Sequence, residues 1–184
     1  MEKTLQEIMD QEDRKTWGPG HPDRRQTTEK ILPVQRLKLV RDGSIRYNAP
    51  TPPITSPQYC LDIFRTHFAG ATIEIMSALS VNMQNEFLNL SNVAYGTIGR
   101  MNVHPREIFK NVLAKDNAAK FILAHNHPSG NATPSPEDLE TMESIRNLGI
   151  ELGCRLIDFI IIGQADDSYY SHNELHYEYF AAPS

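Results

Sequence analysis

The chain has 184 residues, 40% of them hydrophobic and 22% charged, with 18 Lys/Arg against 23 Asp/Glu and a net charge of −5. That length holds a single domain with a polar tail and a core of ordinary size, without room for a second catalytic domain within it. The acidic balance argues against a protein that coats nucleic acid nonspecifically, because that task needs a basic face to displace counterions from phosphates.

Residues 1–30 are polar, and Trp17-Gly18-Pro19-Gly20-His21-Pro22 is a run of breakers, so we expect a poorly ordered N-terminal arm with at most a short helix near Thr4 to Glu12. The opening residues lack the apolar core of a signal peptide and no apolar run approaches membrane length, which points to a cytoplasmic, reduced protein. Residues 31–53 lead into the domain. Val34 to Tyr47 alternates apolar and basic residues around Asp42-Gly43, the pattern of a hairpin, and Ala49-Pro50-Thr51-Pro52-Pro53 is a stiff connector. Residues 1–50 hold ten Lys/Arg against eight Asp/Glu, leaving eight against fifteen in the acidic remainder. Arg36, Lys38, Arg41 and Arg46 form a basic strip suited to weak nucleic-acid association, although such alternation is more often a solvated edge that blunts self-association.

From residue 54 to 184 the pattern is α/β. Ser56-Pro57 starts an amphipathic helix carrying Tyr59, Leu61, Ile63, Phe64 and Phe68 and ending near Gly70. Ile73 to Val81 suits a buried strand, Phe87 to Val93 its hairpin partner, and Tyr95 to Ile98 a continuation of the sheet. His104-Pro105-Arg106-Glu107 opens a helix to about Asp116. A strand follows at Lys120 to Ala124, then a helix from Pro136 to Leu148 bounded by Gly149, a strand from Arg155 to Ile162, a short strand at Ser168 to Ser171, and a last helical turn within Glu174 to Phe180. Cys60 and Cys154 match no metal or redox spacing and have apolar neighbours, so both read as buried free thiols. His67, His172 and His176 have no ligand spacing and read as surface residues.

The densest chemistry lies in His125-Asn126-His127-Pro128-Ser129-Gly130, followed by Ser135 and Asp138. Histidines at i and i+2 on a strand project to one face, so both imidazoles can meet one ion. Pro128, Ser129 and Gly130 stop the strand. Ser135 then serves as N-cap with Pro136 at the first helical position, which puts Asp138 in the first turn, at the positive end of the helix and within reach of the strand end. Two imidazoles and a carboxylate make an open zinc site with a position left for water.

These residues resemble the JAMM motif, also called JAB or MPN+, in the form found in the bacterial RadC-like family. The match includes AHNHPSGNATPSPED, VHPREIFK from Val103 to Lys110, Gly96-Thr97, ITSP from Ile54 to Pro57 and LIDFIIIG from Leu156 to Gly163, and it extends from about Ile31 to the C-terminus. The resemblance implies a JAB/MPN-type single domain: a mixed sheet flanked by helices in a cytidine-deaminase-like three-layer arrangement. It implies Zn2+ held by His125, His127 and Asp138. Counting back from Gly96-Thr97 in the family register lands on Glu74, whose implied role is to hold the water at the zinc and shuttle its proton, while Ser135 helps stabilise the oxyanion. The usual Asp-x-Lys-Asn appears here as Asn82-Met83-Gln84-Asn85, and the usual His after Asp158 is Phe159; neither change touches a ligand. Many members carry a helix-hairpin-helix module upstream, and residues 1–30 are too short and polar to supply one.

The leading expectation is a zinc metallopeptidase that hydrolyses a peptide or isopeptide bond, with a protein or peptide substrate and Glu74 as base. Glu107 is the rival base, although its place after Pro105 is also explained by the helix dipole, and His104 by a cap. Capping alone would equally account for Ser135. Asp158, in an apolar strand, needs a partner: either a ligating histidine or loop backbone. The alternatives are a DNA-transaction accessory protein that uses the domain for binding, and a metal-dependent nuclease on the same ligands.

Overall fold

Strands β1 (Ile75–Val81), β2 (Phe87–Tyr95), β3 (Lys120–Asn126), β4 (Arg155–Ile162) and β5 (Tyr169–Ser171) form one sheet in the order β2-β1-β3-β4-β5. A computed structural model describes residues 40–46, 58–96, 103–115, 117–165 and 168–175, all within one compact unit, Leu37–Ser184. β1 pairs antiparallel with both β2 and β3, β3 runs parallel to β4, and β5 returns antiparallel at the edge. The parallel pair requires a crossover, and helix α3 (Pro136–Glu151) supplies it.

The central strands are nearly continuous apolar runs because both faces of the sheet are covered. Alternation divides their side chains between two cores. Phe121, Leu123, Phe159 and Ile161 pack with Met142 and Ile145 of α3 and with Ile108, Phe109 and Val112 of α2 (Pro105–Leu113). Leu79, Ile122, Ala124, Ile160 and Ile162 meet Leu61, Ile63, Phe64 and Phe68 of α1 (Gln58–Phe68) on the other face. Each such fully buried Leu, Ile or Phe contributes roughly 1.5–3 kcal/mol. The result is the expected α/β architecture, a mixed sheet between helical layers. Among the described residues no helix is long and apolar enough to cross a membrane.

Several expectations are revised. Gly149 does not end α3: the helix continues to Glu151, and the reversal comes at Gly153, whose φ of +67° suits glycine. Gly149 instead permits close approach, since a Cβ there would lie 2.6 Å from the carbonyl oxygen of Cys154. The second strand runs unbroken to Tyr95. No strand is present over 40–46, and the remainder of the expected Val34–Tyr47 hairpin lies outside the described residues, as do Arg36, Lys38, Ser56 and the tail from His176 onward. A final helix, α4 (His172–Leu175), begins before the expected turn.

His172 is buried rather than on the surface, and its Nδ1 lies 2.7 Å from the hydroxyl of Tyr170. His67 is half-buried and bridges α1 to the sheet through Ser77 and Asn92. Both cysteines are buried free thiols, as expected, and burial pushes the Cys154 thiol up to about 11.

Candidate metal centre

The centre forms where three chain segments meet at the end of β3. His125 is fully buried on the face that carries Phe121 and Leu123, its ring against Phe159 at a centroid distance of 5.4 Å. One residue past the strand, the backbone N–H of His127 donates to the carbonyl of Ile162 at 2.9 Å, which extends the parallel pairing and keeps the second imidazole in register with the first. The chain then turns: Gly130 donates to the carbonyl of His127 at 2.9 Å with a φ of +88°, a conformation that favours glycine.

That turn brings the backbone carbonyl of Asn131 to 2.7 Å from His127 Nδ1. A carbonyl only accepts, so Nδ1 carries the proton and Nε2 presents a lone pair toward the centre. At the start of α3, Ser135 Oγ accepts from the backbone N–H of Asp138 at 3.1 Å, while Asp138 Oδ2 accepts from Ser135 N at 2.8 Å and from Ser135 Oγ at 2.6 Å. This reciprocal capping box holds the carboxylate against the helix start with one oxygen still free to face the histidines.

Glu74 arrives from the opposite direction. Met76 pairs with His125 across the antiparallel β1–β3 ladder, and extending that register by two residues sets Glu74 beside His127 on the same face. Asn126 secures this alignment. It lies between the two histidines in sequence and points to the other face. Its side chain accepts from Ile75 N at 2.8 Å and donates to the carbonyl of Ile73 at 3.0 Å, thereby gripping the residues on either side of Glu74. The carbonyl of Glu74 is held in turn by Gly96 N at 2.8 Å.

The four side chains converge. His125 Nε2 lies 3.0 Å from His127 Nε2, 3.2 Å from Asp138 Oδ1 and 3.7 Å from Glu74 Oε1, and His127 Nε2 lies 3.6 Å from Asp138 Oδ2. One ligand atom from each falls within 4.8 Å of all the others. Burial works against a charged Asp138, yet the neighbouring imidazoles of His125 and His127 and the hydroxyl of Ser135 outweigh it and hold the carboxyl well below the usual range. His127 is raised, first by the nearby Asp138 carboxylate, with burial opposing.

Two imidazole nitrogens 3.0 Å apart repel unless a proton or a cation lies between them, and the Nε2 of His127 is already the acceptor end of its ring. Two nitrogens flanked by carboxylate oxygens suit a divalent cation of borderline softness, so the residues fit a metal. Such histidines usually give their other N–H to an acceptor, as His127 does. His125 does not: its Nδ1 is buried with no hydrogen-bond partner among the described residues.

The remaining candidates lie elsewhere. Glu107 is outside the group; its carboxylate, half-exposed on α2, takes a 2.6 Å bond from Lys110, which lowers its pKa. His104 caps that helix by accepting from Arg106 N. Asp158 faces the opposite side of the sheet and accepts from Phe159 N, Ser171 Oγ and Asn173 N; it bonds to neither ligating histidine, and its backbone partners lie in β4 and α4 rather than in a loop. The hydroxyl proton of Ser135 is directed at Asp138. Asn126 escaped the sequence reading because its role depends on a partner 51 residues away, at Ile75.

Comparison with known proteins gives the same assignment. Residues 54–177 match the model of the RadC-like JAB domain. A UPF0758 protein of Rubrobacter xylanophilus is 34% identical over 139 residues, covering 76% of this chain and 61% of the relative. Others are a UPF0758 protein of Staphylococcus carnosus, 40% identical over 61% of this chain and 49% of its own, and one of Haemophilus ducreyi, 38% identical over 66% and 53%. The chain thus spans about half to three fifths of the length of the curated relatives it matches. By sequence match and by sheet architecture, this chain belongs to the RadC-like JAB domain family.

Proposed function

We propose that the chain is a zinc-dependent hydrolase of peptide or isopeptide bonds, with His125, His127 and Asp138 as ligands and Glu74 as the base. The supporting observation is the convergence of these four side chains, from three separate segments, within 4.8 Å. Zinc, when bound, supplies a Lewis acid for the scissile carbonyl and lowers the pKa of water toward about 7.

The chain's own residues do the rest. Glu74, with a side chain only 17% exposed, takes a proton from the attacking water and returns it to the leaving amine. Asn126 and Gly96 fix the backbone around Glu74, and Asn131 fixes the ring of His127. Ser135 holds Asp138. For it to donate to a developing oxyanion, its hydroxyl proton must rotate away from that carboxylate.

The test is a search for peptides cleaved by the zinc-loaded protein and spared by Glu74→Gln, which should keep its metal and lose turnover. Cleavage that persists in Glu74→Gln contradicts the assignment of the base. The exposed residues Arg41 and Arg46 support a separate, weaker reading as a nucleic-acid contact. It calls for salt-sensitive DNA binding that survives metal removal.

A further inference from the structure

A cleft of about 420 Å3 opens at the carboxyl ends of the parallel strands β3 and β4, and its lining includes the metal-site residue His127 together with Asn126, Thr72, Gln164 and Arg65. Arg65 is the one formally charged side chain among the described residues that line it. Its side chain is 28% exposed, and its guanidinium lies over the ring of Tyr169 at 5.8 Å from the centroid. The nearest carboxylate oxygen, on the 91% exposed Asp62, is 4.0 Å from Nη1, at the outer limit of an ion pair. Nε is buried and has no hydrogen-bond partner among the described residues.

A guanidinium offers five N–H donors in a fixed fork that matches a carboxylate, and a partly buried cation is costly without a partner. Here the fork donates to no described residue, is oriented by an aromatic face and shares a cleft with a ligand of the candidate metal. We infer that Arg65 is a specificity-determining residue that binds a carboxylate of the peptide substrate while the scissile bond lies at the metal site. The inference rests on the hydrolase reading and names its substrate class: peptides carrying a C-terminal carboxylate or an Asp/Glu side chain near the cleaved bond. A nucleic-acid phosphate fits less well. The described lining offers no second cation, and residues 51–184 are acidic, with fifteen Asp/Glu against eight Lys/Arg.

Calorimetry on the full-length, zinc-loaded Glu74→Gln protein tests this with three probes: N-acetyl-tetra-alanine, its C-terminal amide, and the same amide with glutamate at the third position. One of the two carboxylate-bearing peptides should bind about tenfold or more tighter than the neutral amide, the scale of a charged hydrogen bond, and the tighter one identifies the source of the carboxylate. Adding Arg65→Met should abolish the preference, and Arg65→Lys should restore part of it. Thermal unfolding checks the folding of each variant, and the comparison of acid with amide in the Arg65 protein stands without either.

Equal or absent binding of all three peptides overturns the inference, as does a preference that survives Arg65→Met. So does Arg65-dependent binding of oligothymidylate in place of the peptides. Glu74-dependent cleavage without a carboxylate preference defeats this inference alone. A carboxylate preference without any cleavage by the unmodified protein defeats the hydrolase reading alone.

Discussion

Asn126 shows how a residue outside the ligand set can govern the chemistry. Replacing it with Ala removes the acceptor for Ile75 N and the donor for the Ile73 carbonyl, freeing the segment that carries Glu74. We expect Asn126→Ala to retain zinc but to lose roughly 100-fold in Glu74-dependent hydrolysis, the scale of a misplacement of about 1 Å. Unchanged turnover in a protein with normal metal content would count against the positioning role. His127 carries a pH signature. Because its pKa is raised above 6.5, chiefly by Asp138, protons compete for Nε2 from a higher pH than at an ordinary histidine. Zinc affinity, measured by chelator competition, should decline from pH 8 to pH 6, whereas a flat profile would contradict it. At this scale the sequence revealed the groups that act through their own chemistry. His125, His127, Ser135 and Asp138 lie within fourteen residues, so local spacing announced them. Glu74 lies 51 residues before His125 and required a family register, and Asn126 looked like a spacer because nothing local marks its bonds to Ile73 and Ile75.

The elements were legible wherever burial and local chemistry agreed. β4 follows its apolar run from Arg155 to Ile162, and α3 starts at Pro136 behind its Ser135 cap. Its end was misread because Gly149 has two uses that look alike in sequence, helix stop and close approach, and only the passage of Cys154 against the helix distinguishes them. Gly149→Ala tests the close approach. At a helical φ alanine would gain from its better helix propensity, whereas a Cβ 2.6 Å from a carbonyl oxygen should cost about 1–3 kcal/mol of overpacking in urea denaturation, and a net gain in stability would contradict it. Asp158 is similarly an element-level device. It fastens β4 to Ser171 at the end of β5 and to Asn173 in α4. Burial pushes its carboxyl up to about 6, against the hydrogen bonds it accepts. An acid with a raised folded pKa contributes stability at low pH that is lost as pH rises through that value. Metal-free protein should therefore lose stability between about pH 4 and 7 relative to Asp158→Asn, and parallel pH profiles for the two would rule this out.

In the whole molecule, the metal centre brings the start of α3 against the segment before β1 and the end of β3, two segments that Asn126 already ties to each other. A cation bound there ties the three together, so stability should depend on zinc: free zinc at about 100 times its dissociation constant adds about 2.7 kcal/mol. The most direct measurement is the zinc content, after dialysis, of the unmodified protein and of His125→Ala, Asp138→Ala and Glu74→Gln. We expect about one zinc per chain in the unmodified protein and in Glu74→Gln, and loss from the other two, as for a site built on three protein ligands. Zinc retained equally by all four proteins, or absent from the unmodified one, would contradict a shared cation at His125, His127 and Asp138.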